Sequence, residues 1–251
     1  MPDIDIVLVS PLYEGNIGAA ARVMKNFGFH RLVLVDPCPT GDEAVMRAAH
    51  ALDVLSSAET ISFAEVVSRS DLVIATTGEV SKSICRPMRM PYYSPREIRE
   101  LIDGVSGRVS ILFGRENWGL NNEEVRKSDI VCTIPASPGY PILNLSHAVG
   151  IICYELAGLE RGEYLLASKE EMDHLYAHID AYLDRIDHPD FKRLPTMLLI
   201  RRVLGRARLT AREASTLHGL MRRSEWHMNP EEFERKKGED KEIDEEEDLA
   251  V

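Results

Sequence analysis

Short runs of valine, isoleucine and leucine recur along the first 160 residues, and each gives way to a stretch with helical spacing. The runs fall at residues 4–9, 31–35, 72–75, 109–113 and 130–134. They are apolar at consecutive positions, which is how a strand reads when helices cover both faces of a parallel sheet. The helical patterns lie at 17–26, 42–55, 64–69, 95–101, 122–127 and 144–159. Strand and helix alternating in this way predict an α/β fold with a parallel sheet. After Gly162 the texture changes to helical spacing alone, at 169–186, 195–204 and 211–226. His188-Pro189 and Leu194-Pro195 predict a turn between the first two of these helices. Thr210 with Glu213 predicts a capping box at the start of the third.

With 251 residues, 44% of them hydrophobic, the chain can fill one substantial core. There is no uninterrupted apolar run of membrane-spanning length, and Asp3 and Asp5 stand where a signal peptide carries positive charge. Cys38, Cys85, Cys132 and Cys153 form no CxxC pair that would suggest zinc or a redox dithiol. A cytoplasmic protein without a membrane partner is predicted. The net charge of −11 disguises a division. Residues 230–251 carry 11 acidic and 4 basic side chains, whereas 185–228 carry 10 basic and 4 acidic. The acidic end has almost no apolar residues and is expected to be disordered; the basic helices are expected to face a polyanion.

Three segments at successive strand ends carry the candidate chemistry. The first, Glu14-Gly15-Asn16-Ile17-Gly18-Ala19-Ala20-Ala21-Arg22, lacks both the dinucleotide GxGxxG and the P-loop GK[ST], which demotes NAD and ATP. The second runs from Phe113 through Gly114, Arg115, Glu116, Asn117, Trp118 and Gly119 to Leu120. It places charged residues at the carboxyl end of a strand, where open α/β sheets bind ligands. The third, from Tyr140 to Gly150, runs through Asn144, a suitable N-cap, into an apolar helix.

Taken together, N-x-G-x-x-x-R at Asn16, Gly18 and Arg22, F-G-R-E-x-x-G-L at Phe113 to Leu120 with N-E-E at Asn122 to Glu124, and L-N-L at Leu143 to Leu145 resemble the SPOUT superfamily of RNA methyltransferases. Within it the match is to the tRNA ribose 2′-O-methyltransferases of the TrmH and TrmJ branch, over roughly residues 3–160, and the helices after 162 are similar to the TrmJ-type extension. The resemblance implies a SPOUT fold with a deep trefoil knot in residues 1–162 and a helical RNA-binding extension in 163–228, ahead of the acidic tail, 229–251, whose composition predicts disorder. It implies S-adenosylmethionine as methyl donor, with no metal, held near Thr76, Thr77, Gly78, Gly114, Ile134, Ile142 and Leu143. Arg22, Asn16, Glu116 and Asn144 are the implied catalytic residues, in a homodimer acting on tRNA at nucleotide 32, on cytidine or uridine. Ile142 departs from the serine common at that place in the branch. Arg86, Arg89, Arg201, Arg202, Arg206, Arg208 and Arg212 are the candidate RNA contacts.

Competing readings are the same chemistry on ribosomal RNA, a non-catalytic RNA- or SAM-binding module, and a small-molecule enzyme on a doubly wound sheet. The combined presence of Asn16, Arg22, Glu116 and Asn144 argues against a pure binder. His174 and His178 are four apart, but Leu175 stands where HExxH needs its glutamate, so both are expected on a helix surface. Trp118 and Trp226 are expected to pack rather than to stack on bases. Ser146 and His147, adjacent on a helix, do not face each other.

Overall fold

The computed structural model describes residues 3–78, 87–159 and 162–228. Its elements run β1 (Asp3–Val9), α1 (Glu14–Asn26), β2 (Leu32–Val35), α2 (Asp42–Ala48), α3 (Leu52–Ser56), β3 (Glu59–Thr60), α4 (Phe63–Ser68), β4 (Leu72–Thr76), β5 (Tyr92–Tyr93), α5 (Pro95–Ile102), β6 (Val105–Ser106), β7 (Arg108–Phe113), α6 (Asn122–Arg126), β8 (Ile130–Cys132), α7 (Leu145–Leu156), β9 (Tyr164–Leu165), α8 (Lys169–Arg185), α9 (Asp190–Ala207) and α10 (Ala211–Met228). Seven strands form one parallel sheet in the order β3-β2-β1-β7-β4-β8-β5, and β6 pairs with β9 beside it. The predicted α/β fold and its five principal strands are present.

Alternate side chains of each strand serve opposite faces. Ile4, Ile6 and Leu8 of β1 join Ile74, Ile111 and Phe113 in a core closed by α1, α5 and α7. Val7 and Val9 join Val73, Leu112 and Val131 in a second core under α4 and α6. Asp5 interrupts the second face and is fully buried. Its carboxylate accepts from Arg31 Nε at 2.6 Å and Arg69 Nη2 at 3.1 Å, which is how a buried charge is tolerated.

The helix predicted over 42–55 is broken after Ala48, where Ala49 takes a φ of 49°. The break frees the His50 carbonyl, which accepts from Lys25 Nζ at 2.9 Å while the same ammonium pairs with Asp53 at 2.7 Å. The predicted turn between the two helices forms at residues 186–189, around His188-Pro189, and does not reach Leu194-Pro195. α9 begins at Asp190 and carries Pro195 inside it. Pro195 removes the amide that would meet the Phe191 carbonyl, but both residues are exposed and water can satisfy that oxygen. The capping box at Thr210 forms, with Thr210 N donating to Glu213 Oε2 at 2.8 Å. Among the described residues no helix is long and apolar enough to cross a membrane.

Arg202 of α9 is 1% exposed. Its guanidinium donates to the carbonyls of Ser128 at 2.5 Å, Val125 at 2.7 Å and Met88 at 3.4 Å, bolting the helical extension to the sheet domain behind α6 and β8.

Candidate active site

Loops leaving β4, β7 and β8, three neighbouring strands, meet at their carboxyl ends and enclose a cleft of about 360 Å³. This is where ligands of open parallel sheets are held, and the volume lies in the range of small-molecule clefts. The β4 loop is fixed by Thr76 Oγ1 donating to Leu112 O at 2.8 Å and Thr77 N donating to Cys132 O at 2.9 Å. Ile134, Ile142, Leu143, Leu145 and Ala148 supply apolar lining, and the turn from Gly114 to Leu120 supplies the rest of the cleft beside the β4 loop and Arg89.

That turn is closed by Arg115 N donating to Gly119 O at 3.2 Å and Gly119 N donating to Arg115 O at 2.8 Å. The Arg115 guanidinium meets the Glu124 carboxylate at 3.1 Å and donates to Ser10 Oγ at 3.0 Å. A Cβ on Gly114 would stand 2.1 Å from the Gly119 carbonyl carbon, so no larger residue fits where the turn crosses itself.

Glu116 leaves this turn toward the start of α1. Oε2 accepts from Leu12 N at 2.8 Å, and Oε1 accepts from Tyr13 N at 3.3 Å and Asn16 Nδ2 at 2.8 Å. An ionised carboxylate only accepts, so Asn16 must turn its amide nitrogen to Glu116 and its oxygen outward. That oxygen accepts from Asn144 Nδ2 at 3.0 Å, and Asn144 Oδ1 then accepts from Ser146 N at 2.9 Å as the N-cap of α7. One carboxylate thereby fixes the polarity of two amides on separate helices. The two asparagines line a second groove of about 420 Å³ together with Tyr13, Ala19, Arg47 and His147, whereas Glu116 lines the first cleft. Nearby, burial and the Glu116 and Glu14 carboxylates push the Cys38 thiol up from its ordinary value, which keeps it protonated.

All seven residues expected to hold a cofactor line the first cleft. Three of the four expected catalytic residues, Asn16, Glu116 and Asn144, stand in contact. Arg22 does not join them: it is exposed on α1 and has no hydrogen-bond partner among the described residues. The expected RNA contacts divide. Arg86 lies outside the described residues. Arg89 faces the cleft and donates to Leu120 O at 3.0 Å. Arg201 pairs with Asp129 at 3.1 Å and covers the Tyr176 ring at 4.2 Å. Arg202 is buried as described, and burial pulls its guanidinium down to about 10. Arg208 donates to Leu101 O and lies over Tyr164. Arg206 is half-buried, and Arg212 is exposed.

Two expectations are corrected. His178 is not on the surface: its Nδ1 meets His218 Nδ1 at 2.9 Å, and its Nε2 meets buried Glu225 at 3.1 Å. Trp118 does not pack: it is 78% exposed at the cleft mouth. A helix-to-helix pairing and the direction of one turn are tertiary facts that local spacing does not carry.

The profile of the SpoU rRNA Methylase family matches residues 3–154. The chain is 38% identical over 223 residues to a tRNA (cytidine-2′-O-)-methyltransferase, TrmJ, of Methanocaldococcus jannaschii, across 85% of this chain and 96% of that protein. It is 33% identical to TrmJ of Pseudomonas aeruginosa, named a tRNA (cytidine/uridine/adenosine-2′-O-)-methyltransferase, across 87% and 92% of the two chains. The crystal structure of TrmJ from Z. mobilis superposes with a TM-score of 0.69 at 31% identity, covering 90% of this chain and 99% of that one. The three motif segments, the parallel sheet that gathers them and the span of these matches make the chain a member of the SpoU methylase family.

Proposed function

We propose that the chain is an S-adenosylmethionine-dependent tRNA ribose 2′-O-methyltransferase that modifies nucleotide 32 of the anticodon loop, on cytidine or uridine. The observation that carries this reading is the Glu116–Asn16–Asn144 line standing between a cofactor-sized cleft and a groove open to an acceptor. The names of the relatives support it, because their matches extend through the helices after residue 162 as well as the sheet domain.

The cleft suits the donor chemically: its lining combines apolar side chains for the adenine with a turn rich in backbone polar groups. When bound, the donor supplies a methyl on a cationic sulfur, already electrophilic. The chain's task is to bring a ribose hydroxyl into line and to hold it there. Asn16 and Asn144 are placed to orient that hydroxyl. Glu116 is a positioning residue, since both its oxygens already hold the chain. A guanidinium donates hydrogen bonds and accepts none, so the proposed part of Arg22 is to clamp the neighbouring phosphate while the hydroxyl proton passes to phosphate oxygen or water. Its distance from the Asn16 line within one chain favours a homodimer in which the site is completed at the interface. Ile142 takes over the wall position at which the branch commonly has serine, so the contact there is apolar.

The reading includes a deep trefoil knot in residues 1–162. Residues 163–228 are read as the RNA-binding extension, with Arg212, Arg222 and Arg223 of α10 exposed for phosphate, in a cytoplasmic enzyme. The acidic tail, 229–251, lies outside the described residues.

Methyl transfer from labelled donor to a set of unmodified tRNA transcripts, followed by nuclease digestion and mass mapping, tests the proposal. A 2′-O-methyl at nucleotide 32 is expected. The family's description favours ribosomal RNA as the second reading, and transfer to ribosomal RNA with none to any tRNA would replace the first reading with it.

A further inference from the structure

Trp118 is the largest apolar side chain left in the open at the cleft, and nothing about its setting is loose. The turn that carries it is closed by two backbone hydrogen bonds, and its base is held by the Arg115–Glu124 pair. Leu120, two residues on, is buried in the core under α4 and α6, and its carbonyl accepts from Arg89. Glu116 lies two residues before Trp118, so their Cα atoms are separated by at most about 7 Å. A rigid backbone thus holds an indole, 78% exposed, within one nucleotide's reach of the Asn16–Asn144 line. Tyr140, 81% exposed, directly precedes Pro141 and Ile142, which line the cleft. In contrast Trp226 is half-buried against His227 on α10.

Resting on the methyltransferase reading above, we propose that the Trp118 indole is the platform on which an unpaired nucleobase at the reacting ribose stacks. The chemistry that recognises such a base is a flat π-face presented from a turn closed by backbone hydrogen bonds. Every base offers a matching face, so this contact holds the nucleotide out of the helix without choosing its identity. Base choice is then left to polar groups elsewhere in the site, and Trp118 governs how well a single-stranded loop is held.

The test uses the full-length protein. The sequence contains two tryptophans, so Trp226→Phe leaves Trp118 as the sole indole, excited selectively at the red edge where tyrosine does not absorb. Titration with an anticodon stem-loop RNA is expected to quench that emission, and titration with a fully paired hairpin of equal length is expected not to. In parallel, Trp118→Ala is expected to raise KM for tRNA by about 5- to 150-fold, the equivalent of one stacked base, with kcat at saturating RNA little changed. Trp118→Phe should recover most of the loss. Donor affinity and oligomer mass are measured on the same variants. A loss that appears in donor affinity would assign the indole to the cofactor, and a change in oligomer mass would assign it to a second copy of the chain; either overturns the proposal. Absence of any transfer by the unmodified protein would sink the methyltransferase reading itself, whereas normal transfer indifferent to residue 118 would sink only this one.

Discussion

Replacing Glu116 by glutamine exchanges one carboxylate oxygen for an NH2 group and should disable the site. The carboxylate accepts three N–H groups, two from the backbone at Leu12 and Tyr13 and one from Asn16. Glutamine has one acceptor oxygen. If it faces Tyr13 and Asn16, its amide nitrogen points at Leu12 N, donor against donor; if it is flipped, both other bonds are lost. Hydrogen bonds to a charged group contribute about 1.5–3 kcal/mol and neutral ones about 0.5–1.5, so the better rotamer weakens two bonds and removes one. Water can reach the exposed Leu12 amide, which limits the loss in stability to about 2 kcal/mol, read as a shift in denaturant midpoint at constant slope. The kinetic cost should be larger, because Asn16 loses the partner that sets its polarity and Asn144 is oriented only through Asn16. A misplacement of the order of 1 Å is enough for a fall of about 10²-fold in kcat. Glu116 also lines the cleft, so donor affinity is measured on the same variant and kcat is compared at saturating donor. Unchanged kcat in a stably folded Glu116→Gln protein would refute the view that this carboxylate orients the two amides.

Arg202→Met is expected to destabilise the fold by about 3–5 kcal/mol, measured by urea unfolding, because it strips a buried hydrogen-bonding cation from the Ser128, Val125 and Met88 carbonyls. Gly18→Ala places a Cβ 2.0 Å from the Ala44 carbonyl oxygen; backbone must move, and a loss of about 1–3 kcal/mol in thermal or chemical unfolding is expected. The His218 imidazole is held below its ordinary value of 6.5, first by burial and then by His178, Arg222 and His174. The unfolded chain therefore takes up that proton more readily, and the stability this histidine contributes is present above pH 6.5 and lost as the pH falls through the depressed value. Denaturant midpoints between pH 7.5 and 5 should fall more steeply for the unmodified protein than for His218→Gln, with Glu225, which faces His178, left intact in both.

Legibility followed burial. β1, β2, β4, β7 and β8 could be read directly because both their faces are covered and consecutive positions must be apolar. The two-residue strands β3, β5, β6 and β9 have too few positions to show a period and were not foreseen. The cofactor wall came from the resemblance and from motif order, and its residues do converge on one cleft. What no local pattern held was direction. Asn16 is 100 residues from Glu116 and 128 from Asn144, and only the packing of α1 against the β7 and β8 loops brings them together. The arginines of α9 and α10 look equivalent in a charge count, yet Arg202 faces the sheet domain and Arg212 faces water.

The bolt formed by Arg202 ends on Met88, and the very next residue, Arg89, lines the cleft and holds Leu120 at the base of the Glu116 turn. Two adjacent residues thus join the helical extension to the pocket by a path one peptide unit long. Thermodynamic linkage makes any traffic along it reciprocal: the factor by which a ligand on the helices alters affinity in the pocket equals the factor by which a ligand in the pocket alters affinity on the helices. Order of binding then carries no energetic preference of its own. Measuring donor affinity with and without RNA, on the unmodified protein, would give the strength of that coupling from either side.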